Sequence, residues 1–372
     1  MTTAGAAWKP RHGARSRARR APAPARRAGT VLGVMIGGSR FASASTGEVL
    51  FSLDLLDLDA REPAPSRISL DFLAHGFCPH PRRPHEAVLL EKRGPGGCVV
   101  DLIERVVLSR LTPLPGHAFY GHGAFTRGGD ALLAVETELG TREGFISVRD
   151  GRSLVPLDRF PTFGARPHDC ELIDDGKTLA VTNGGGELGD DQRPGCVAFV
   201  DVASRRLLER FAVDDPRINA GHLAFAGKRE FAVVSAPRDG LPEETTAGGV
   251  SLRVGTAPLT KLREPGELTA RLVGETLSVC VDRARGRALA TTPRAGLLTS
   301  WRLANATLER VLELPNVRGV TATLDGRHYA VSYGPAASLA LYDADTLEPV
   351  LGHVAGEQRF AGSHVYTWAY PS

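Results

Sequence analysis

The sequence predicts an all-β protein: a seven-bladed β-propeller of four-stranded blades, its ring closed by pairing the N- and C-terminal strands in one blade. Three observations carry this expectation. A short opening motif recurs seven times, as "LAHGFCP", "YGHGAFT", "RPHDCEL", "AGHLAFA", "VGETLSV", "NVRGVTA" and "GSHVYTW". Its anchor residues are His75, His122, His168, His222, Glu275, Arg318 and His364, separated by 47, 46, 54, 53, 43 and 46 residues, the spacing of one four-stranded propeller blade. With 42 Gly, 25 Pro and 6% aromatic residues in 372, the composition favours many short strands joined by turns over long helices.

Each unit repeats one plan. The opening strand ends in a polar turn such as "TRGGD", "DDGK", "RARGR" or "LDGRH", where glycine supplies the conformation that a hairpin needs. Second strands follow as apolar runs, among them "ALLAVETE", "TLAVTN", "EFAVVSA" and "HYAVSY". Third strands include "GCVVDL", "GFISVRD", "CVAFVDV" and "SLALYDA"; a more polar fourth segment, such as "RRLLERFAV", leads onward. The last unit is incomplete, and its missing strands are available as "TVLGVMIGG" and "EVLFSLDLL" near the N-terminus. Their pairing with the C-terminal segment removes two exposed sheet edges. The expected organisation is an Arg-rich, disordered arm over residues 1–28 and a single propeller over 30–372.

Charge sharpens the division. Residues 1–27 carry eight basic residues and no acid, which leaves 37 basic against 42 acidic residues in the rest. The folded part is therefore mildly acidic, which argues against nucleic acid as its partner. No run of about 18 apolar residues occurs, so no membrane span is expected. The N-terminus has two readings. "RRAGTVLGVMIGGSRFASAS" has the parts of a twin-arginine export signal with an Ala42–Ala44 cleavage site. The same stretch, as a first propeller strand over 30–38, implies a cytoplasmic protein. Cys78, Cys98, Cys170, Cys196 and Cys280 are odd in number and form no C-x-x-C pair, so they read as buried free thiols.

The stretches "GHAFYGHGAF", "FPTFGARPHDCEL", "GKTLAVTNGGG", "AGHLAF" and "GETLSVCVD" together resemble an uncharacterised family of bacterial seven-bladed propeller proteins. The resemblance is firmest from Gly116 to Asp282. It implies a periplasmic, twin-arginine-exported protein whose gene accompanies imelysin-like and di-haem proteins of iron uptake, hence an iron-related role by association. It brings no established activity or ligand set.

In a propeller the first strand of each blade lines the channel and the second returns antiparallel, so the seven anchors are expected around one channel mouth. The loops after the second strands overlook them: Glu91, Glu136 and Glu138, Asn183, Arg238, Arg294, and Ser39 with Arg40. Two chemistries suit this set. Imidazoles bind zinc, copper, iron or nickel, with His122, His168 and His222 the first candidates and Glu275 or Glu136 an added oxygen. Alternatively Arg318, Arg238 and Arg294 hold a small anion. Against both stands a structural role, in which the histidines brace neighbouring strands. Other signals are weaker. "GGGELG" matches G-x-G-x-x-G but opens no helix. His80 and His85 read as an exposed hairpin tip, His117 as flanking the mouth, and His328 and His353 as strand or surface residues. Asp169 and Glu275 are acid–base candidates without a recognisable nucleophile. Three functions follow: a propeller binding a transition-metal ion or small anion, a scaffold binding a protein on its rim, or an enzyme using His and Glu at the mouth.

Overall fold

The computed structural model describes residues 31–60, 64–190, 192–334, 338–355 and 360–371. The N-terminal arm with its arginine pair lies outside the described residues. The chain is almost entirely strand. The first three strands are β1 (Val34–Ala42), β2 (Val49–Asp57) and β3 (Ser66–Leu70), so the first strand begins four residues later than the sequence suggests. Next come β4 (Ala74–His80), β5 (Arg83–Gly94), β6 (Gly97–Asp101) and β7 (Val106–Arg110), followed by β8 (His117–Phe125), β9 (Ala131–Glu138), β10 (Glu143–Asp150) and β11 (Pro156–Ala165). The middle of the chain forms β12 (Pro167–Ile173), β13 (Thr178–Asn183), β14 (Cys196–Asp201) and β15 (Leu207–Ala212). After these run β16 (Leu223–Phe225), β17 (Phe231–Ser235), β18 (Gly249–Arg253) and β19 (Thr260–Lys261). A short helix, α1 (Gly266–Arg271), precedes β20 (Ser278–Asp282), β21 (Arg287–Thr292), β22 (Leu297–Arg302) and β23 (Thr307–Glu313). The last strands are β24 (Val320–Ala322), β25 (His328–Tyr333), β26 (Ser338–Asp343), β27 (Pro349–Ala355) and β28 (Tyr366–Trp368).

The topology confirms an all-β propeller and corrects the expected count of seven blades. Among the described residues, five sheets are separate four-stranded blades: β28-β1-β2-β3, β12 to β15, β16 to β19, β20 to β23 and β24 to β27. The remaining eight strands, β4 to β11, form one continuous sheet. The cause is β5, which runs for 12 residues. Its first part pairs with β4 and β6, and its end turns aside to pair with β8 through Lys92↔Tyr120 and Gly94↔Phe119. The propeller thus has five separate blades rather than seven. Anchor spacing counts inner strands and is blind to such a lateral join.

The ring closes where β1 pairs antiparallel with β28, Val34 opposite Trp368 and Ile36 opposite Tyr366. Chain ends that would otherwise leave two open strand edges satisfy each other's backbone groups. The core lies between the sheets. Ile36, Leu53 and Ile68 of the first blade meet Leu89, Val100 and Trp368 in one apolar cluster. Further on, Ala232, Val234 and Leu252 meet Ala290, Leu297 and Trp301. Second strands are covered on both faces, and every residue of β13, β17 and β21 is buried; this is why they read as unbroken apolar or small-residue runs rather than alternating ones. Fully burying each Val, Leu or Ile there contributes roughly 1.5–3 kcal/mol.

Four cysteines are buried and Cys280 is partly so, all with free thiols. His80 departs from its expected exposed turn. It is 3% exposed, its Nδ1 accepts from the Arg82 and Arg83 amides, and its Nε2 faces the Gly129 carbonyl at 3.2 Å. It locks the β4–β5 hairpin to the β8–β9 turn. No helix among the described residues is long and apolar enough to cross a membrane.

Candidate metal centre

Five of the anchors converge. His75 and His122 lie on β4 and β8, His168 on β12, and His222 and His364 just before β16 and β28. Inner strands approach one another there more closely than side chains allow. A β-carbon on Gly76 would collide with the Gly121 carbonyl, and one on Gly121, at φ +104°, with the His75 ring. The "HG" and "GHG" pairs around His75 and His122 are therefore what lets two imidazoles from neighbouring strands meet.

The rings form a packed group. Centroid separations are 4.1 Å for His222–His364, 4.3 Å for His168–His222, 4.7 Å for His75–His364 and 4.8 Å for His75–His122. One potential donor nitrogen from each of His75, His122, His168 and His222 lies within 4.8 Å of the others. All five residues are 3–9% exposed.

Asp169 organises the group. Its Oδ1 is 3.2 Å from His122 Nδ1 and its Oδ2 is 3.5 Å from His222 Nδ1. The carboxylate is itself fixed by the backbone amides of Cys170 and Leu223, at 2.8 and 3.2 Å. A carboxylate facing Nδ1 selects the tautomer with its proton there and turns the Nε2 lone pair inward. The Nε2 atoms of His168 and His222 lie 3.0 Å apart. The Nε2 atoms of His75, His122 and His364 are buried with no hydrogen-bond partner. Three buried ring nitrogens without a partner in one cluster is an arrangement that folded proteins otherwise avoid.

Electrostatics hold the rings neutral. Burial is the largest cause of a pKa pushed well below 6.5 for His75, His168, His222 and His364, reinforced by neighbouring imidazoles and by Lys92. His122 is also lowered by burial, with Asp169 pulling the other way. Neutral imidazole is the ligand form. Sulfur is a poor competitor here: burial pushes the Cys78 thiol up to about 12 and raises Cys170 well above the usual thiol range.

Size also fits. Two nitrogens bound to one ion at about 2.1 Å each are at most about 4.2 Å apart, so the donors need to close in by several tenths of an ångström, within reach of small side-chain rotations. The 3.0 Å between His168 and His222 already matches neighbouring ligands at roughly a right angle.

The other expected site residues lie elsewhere. Glu136 is fully buried against Arg149 at 2.7 Å and accepts from Ser147 and the Leu114 amide. Asn183 exchanges hydrogen bonds with Thr162. Arg238 clamps the carbonyls of Gly186 and Glu187, and Arg294 faces Glu244 at 3.6 Å. Arg318 donates to the Gly362 carbonyl, two residues before His364, and so steadies that histidine's loop. His117 is tied to Pro115 and Arg159 rather than to the cluster. Glu275 is held at 3.3 Å by Lys92, which sits at the end of β5, outside the repeated motif that aligns the anchors.

A sequence profile described as a protein of unknown function (DUF1513) matches residues 68–350. No curated protein sequence matches the chain. Among solved structures the chain is similar to Kuenenia stuttgartiensis hydrazine synthase, at 13% identity and TM-score 0.61, over 83% of this chain and 95% of that one. It is also similar to the dihydro-heme d1 dehydrogenase NirN in complex with DHE, at 12% identity and TM-score 0.57, over 93% of this chain and 78% of that one. At these identities the likeness is one of fold.

Proposed function

The chain belongs to the DUF1513 family, and we propose that it is a metal-binding propeller protein whose centre takes one transition-metal ion at His75, His122, His168 and His222, with His364 beside them. The observation that carries this is four buried imidazoles with donor nitrogens within 4.8 Å of one another, two of them, His75 and His122, with a partnerless Nε2, and a carboxylate that faces two of the rings. An all-imidazole donor set suits zinc, copper(II), iron or nickel. Iron is the first to test, given the iron-related role implied by the sequence resemblance. Bound metal supplies the positive charge that the orphaned lone pairs lack. Asp169 supplies the compensating negative charge next to the centre, and Lys92 is held aside by Glu275. The near-complete burial of the ligands favours holding an ion over turning over a substrate, since catalytic metals keep an open position.

Metal analysis of the purified full chain tests this, after exposure to each ion in turn and removal of excess. The expected result is about one ion per chain, lost in His122→Ala, His168→Ala and His222→Ala, with metal raising the melting temperature of the parent protein only. Purely bracing histidines give another pattern: no stoichiometric metal, and variants that lose roughly 1–3 kcal/mol of stability whether or not metal is added.

A further inference from the structure

A second site lies on the same face as the imidazoles. A cavity of about 230 Å³ is lined by Arg93, Tyr120, Arg142, Arg166 and Asp239, with Leu139 at its rim. Four loops build it: the end of β5, the β9–β10 hairpin, the β11–β12 turn and the loop after β17. These are the strand ends that also surround the histidines, and the Tyr120 ring stands between the two sites, 5.5 Å from the His168 ring.

Three guanidiniums line the cavity against one carboxylate, and Arg166 also faces Glu187 at 4.0 Å, which leaves a net positive charge. Arg166 is held by Asp239 at 3.2 Å and by the Gly185 carbonyl, and Arg93 donates to the Tyr120 hydroxyl at 2.8 Å. Among the described residues the Arg142 side chain has neither ion-pair nor hydrogen-bond partner. All three arginines have positive φ, at 61°, 65° and 50°, a backbone region that residues other than glycine seldom occupy and that recurs at ligand clamps. The volume is below the range of drug-sized ligand pockets, which suits a small ligand.

We infer that this cavity binds a small di- or tricarboxylate. Planar guanidinium forks match carboxylates two bonds at a time. Their origin on three separate loops suits an anion whose charges are spread over several carboxylates, rather than one compact phosphate. The inference is independent of the metal assignment.

Isothermal titration of the full chain with citrate, and separately with inorganic phosphate, tests it. Citrate binds with one-to-one stoichiometry, phosphate binds at least about tenfold more weakly, and Arg142→Gln weakens citrate by about tenfold or more. Because the Arg142 side chain is exposed and makes no ion pair or hydrogen bond among the described residues, that variant is expected to fold as the parent does. Arg93→Gln weakens citrate as well, and His168→Ala leaves it bound. No citrate binding at about 10 mM, unchanged binding in the Arg93→Gln/Arg142→Gln double variant, or phosphate binding as tightly as citrate overturns the assignment. So does citrate binding that disappears with His168→Ala and survives Arg142→Gln, since the anion would then sit on the imidazoles.

Discussion

Asp169 touches two of the five clustered imidazoles and two backbone amides that hold it still. Replacing it by Asn keeps the size and removes the charge that selects the Nδ1–H tautomers. Metal affinity of Asp169→Asn, read by chelator competition, is expected to fall by about 10- to 100-fold. An unchanged affinity would assign Asp169 to packing alone. The same rings set a pH dependence. Burial depresses their folded pKa values below 6.5, so the unfolded chain takes up protons first as pH falls. Stability of the metal-free protein is therefore fully present above about pH 6.5 and lost below it. Each ring that stays neutral only in the fold contributes about 1.4 kcal/mol per pH unit. Denaturant midpoints at pH 7.5 and 5.5 check this, and His122→Ala should flatten the difference. At this scale the histidines were legible because a repeat aligned them. The role of Asp169 was not: its place beside His168 is written in the chain, but the rings it faces belong to neighbouring strands of other sheets. Glu136 shows the opposite failure. Its position after a second strand pointed to the mouth, while its carboxylate is committed to the buried Arg149.

Inner strands converge tightly enough that glycine is obligatory at particular points. Gly76→Ala sets a methyl group against the Gly121 carbonyl, which cannot move without displacing β8. A loss of roughly 2–3 kcal/mol is expected by chemical denaturation, together with weaker metal binding as His75 and His122 are driven apart. A neutral substitution would mean that the strands are less closely packed than described. The second, third and fourth strands of most units were readable, because doubly buried second strands and exposed fourth strands differ plainly in composition; the short helix α1 was not. The blade count was not readable. The extension of β5 and its sideways pairing with β8 depend on a bulge near Lys92 and Gly94, and no local pattern announces which neighbour a strand end will choose.

The whole molecule is a ring, and the β1–β28 pairing is its clasp. Trp368, 5% exposed, packs among core residues of the first blade and the β4–β11 sheet and donates its indole N–H to the Pro84 carbonyl at 2.7 Å. Trp368→Ala is expected to cost about 3–5 kcal/mol and to lower the unfolding midpoint of the entire chain as one transition. A separate early transition confined to the first blade would show that closure does not couple the ring. The closing strands were legible from the incomplete last repeat, a global constraint that no single element carries.

The imidazole centre is decided by X-ray absorption at the K-edge of the metal in loaded protein. The expected spectrum shows four or five nitrogen scatterers at roughly 2.0–2.2 Å with the outer-shell pattern of imidazole rings, and no sulfur. A shell of oxygen alone, or one containing sulfur, would contradict it.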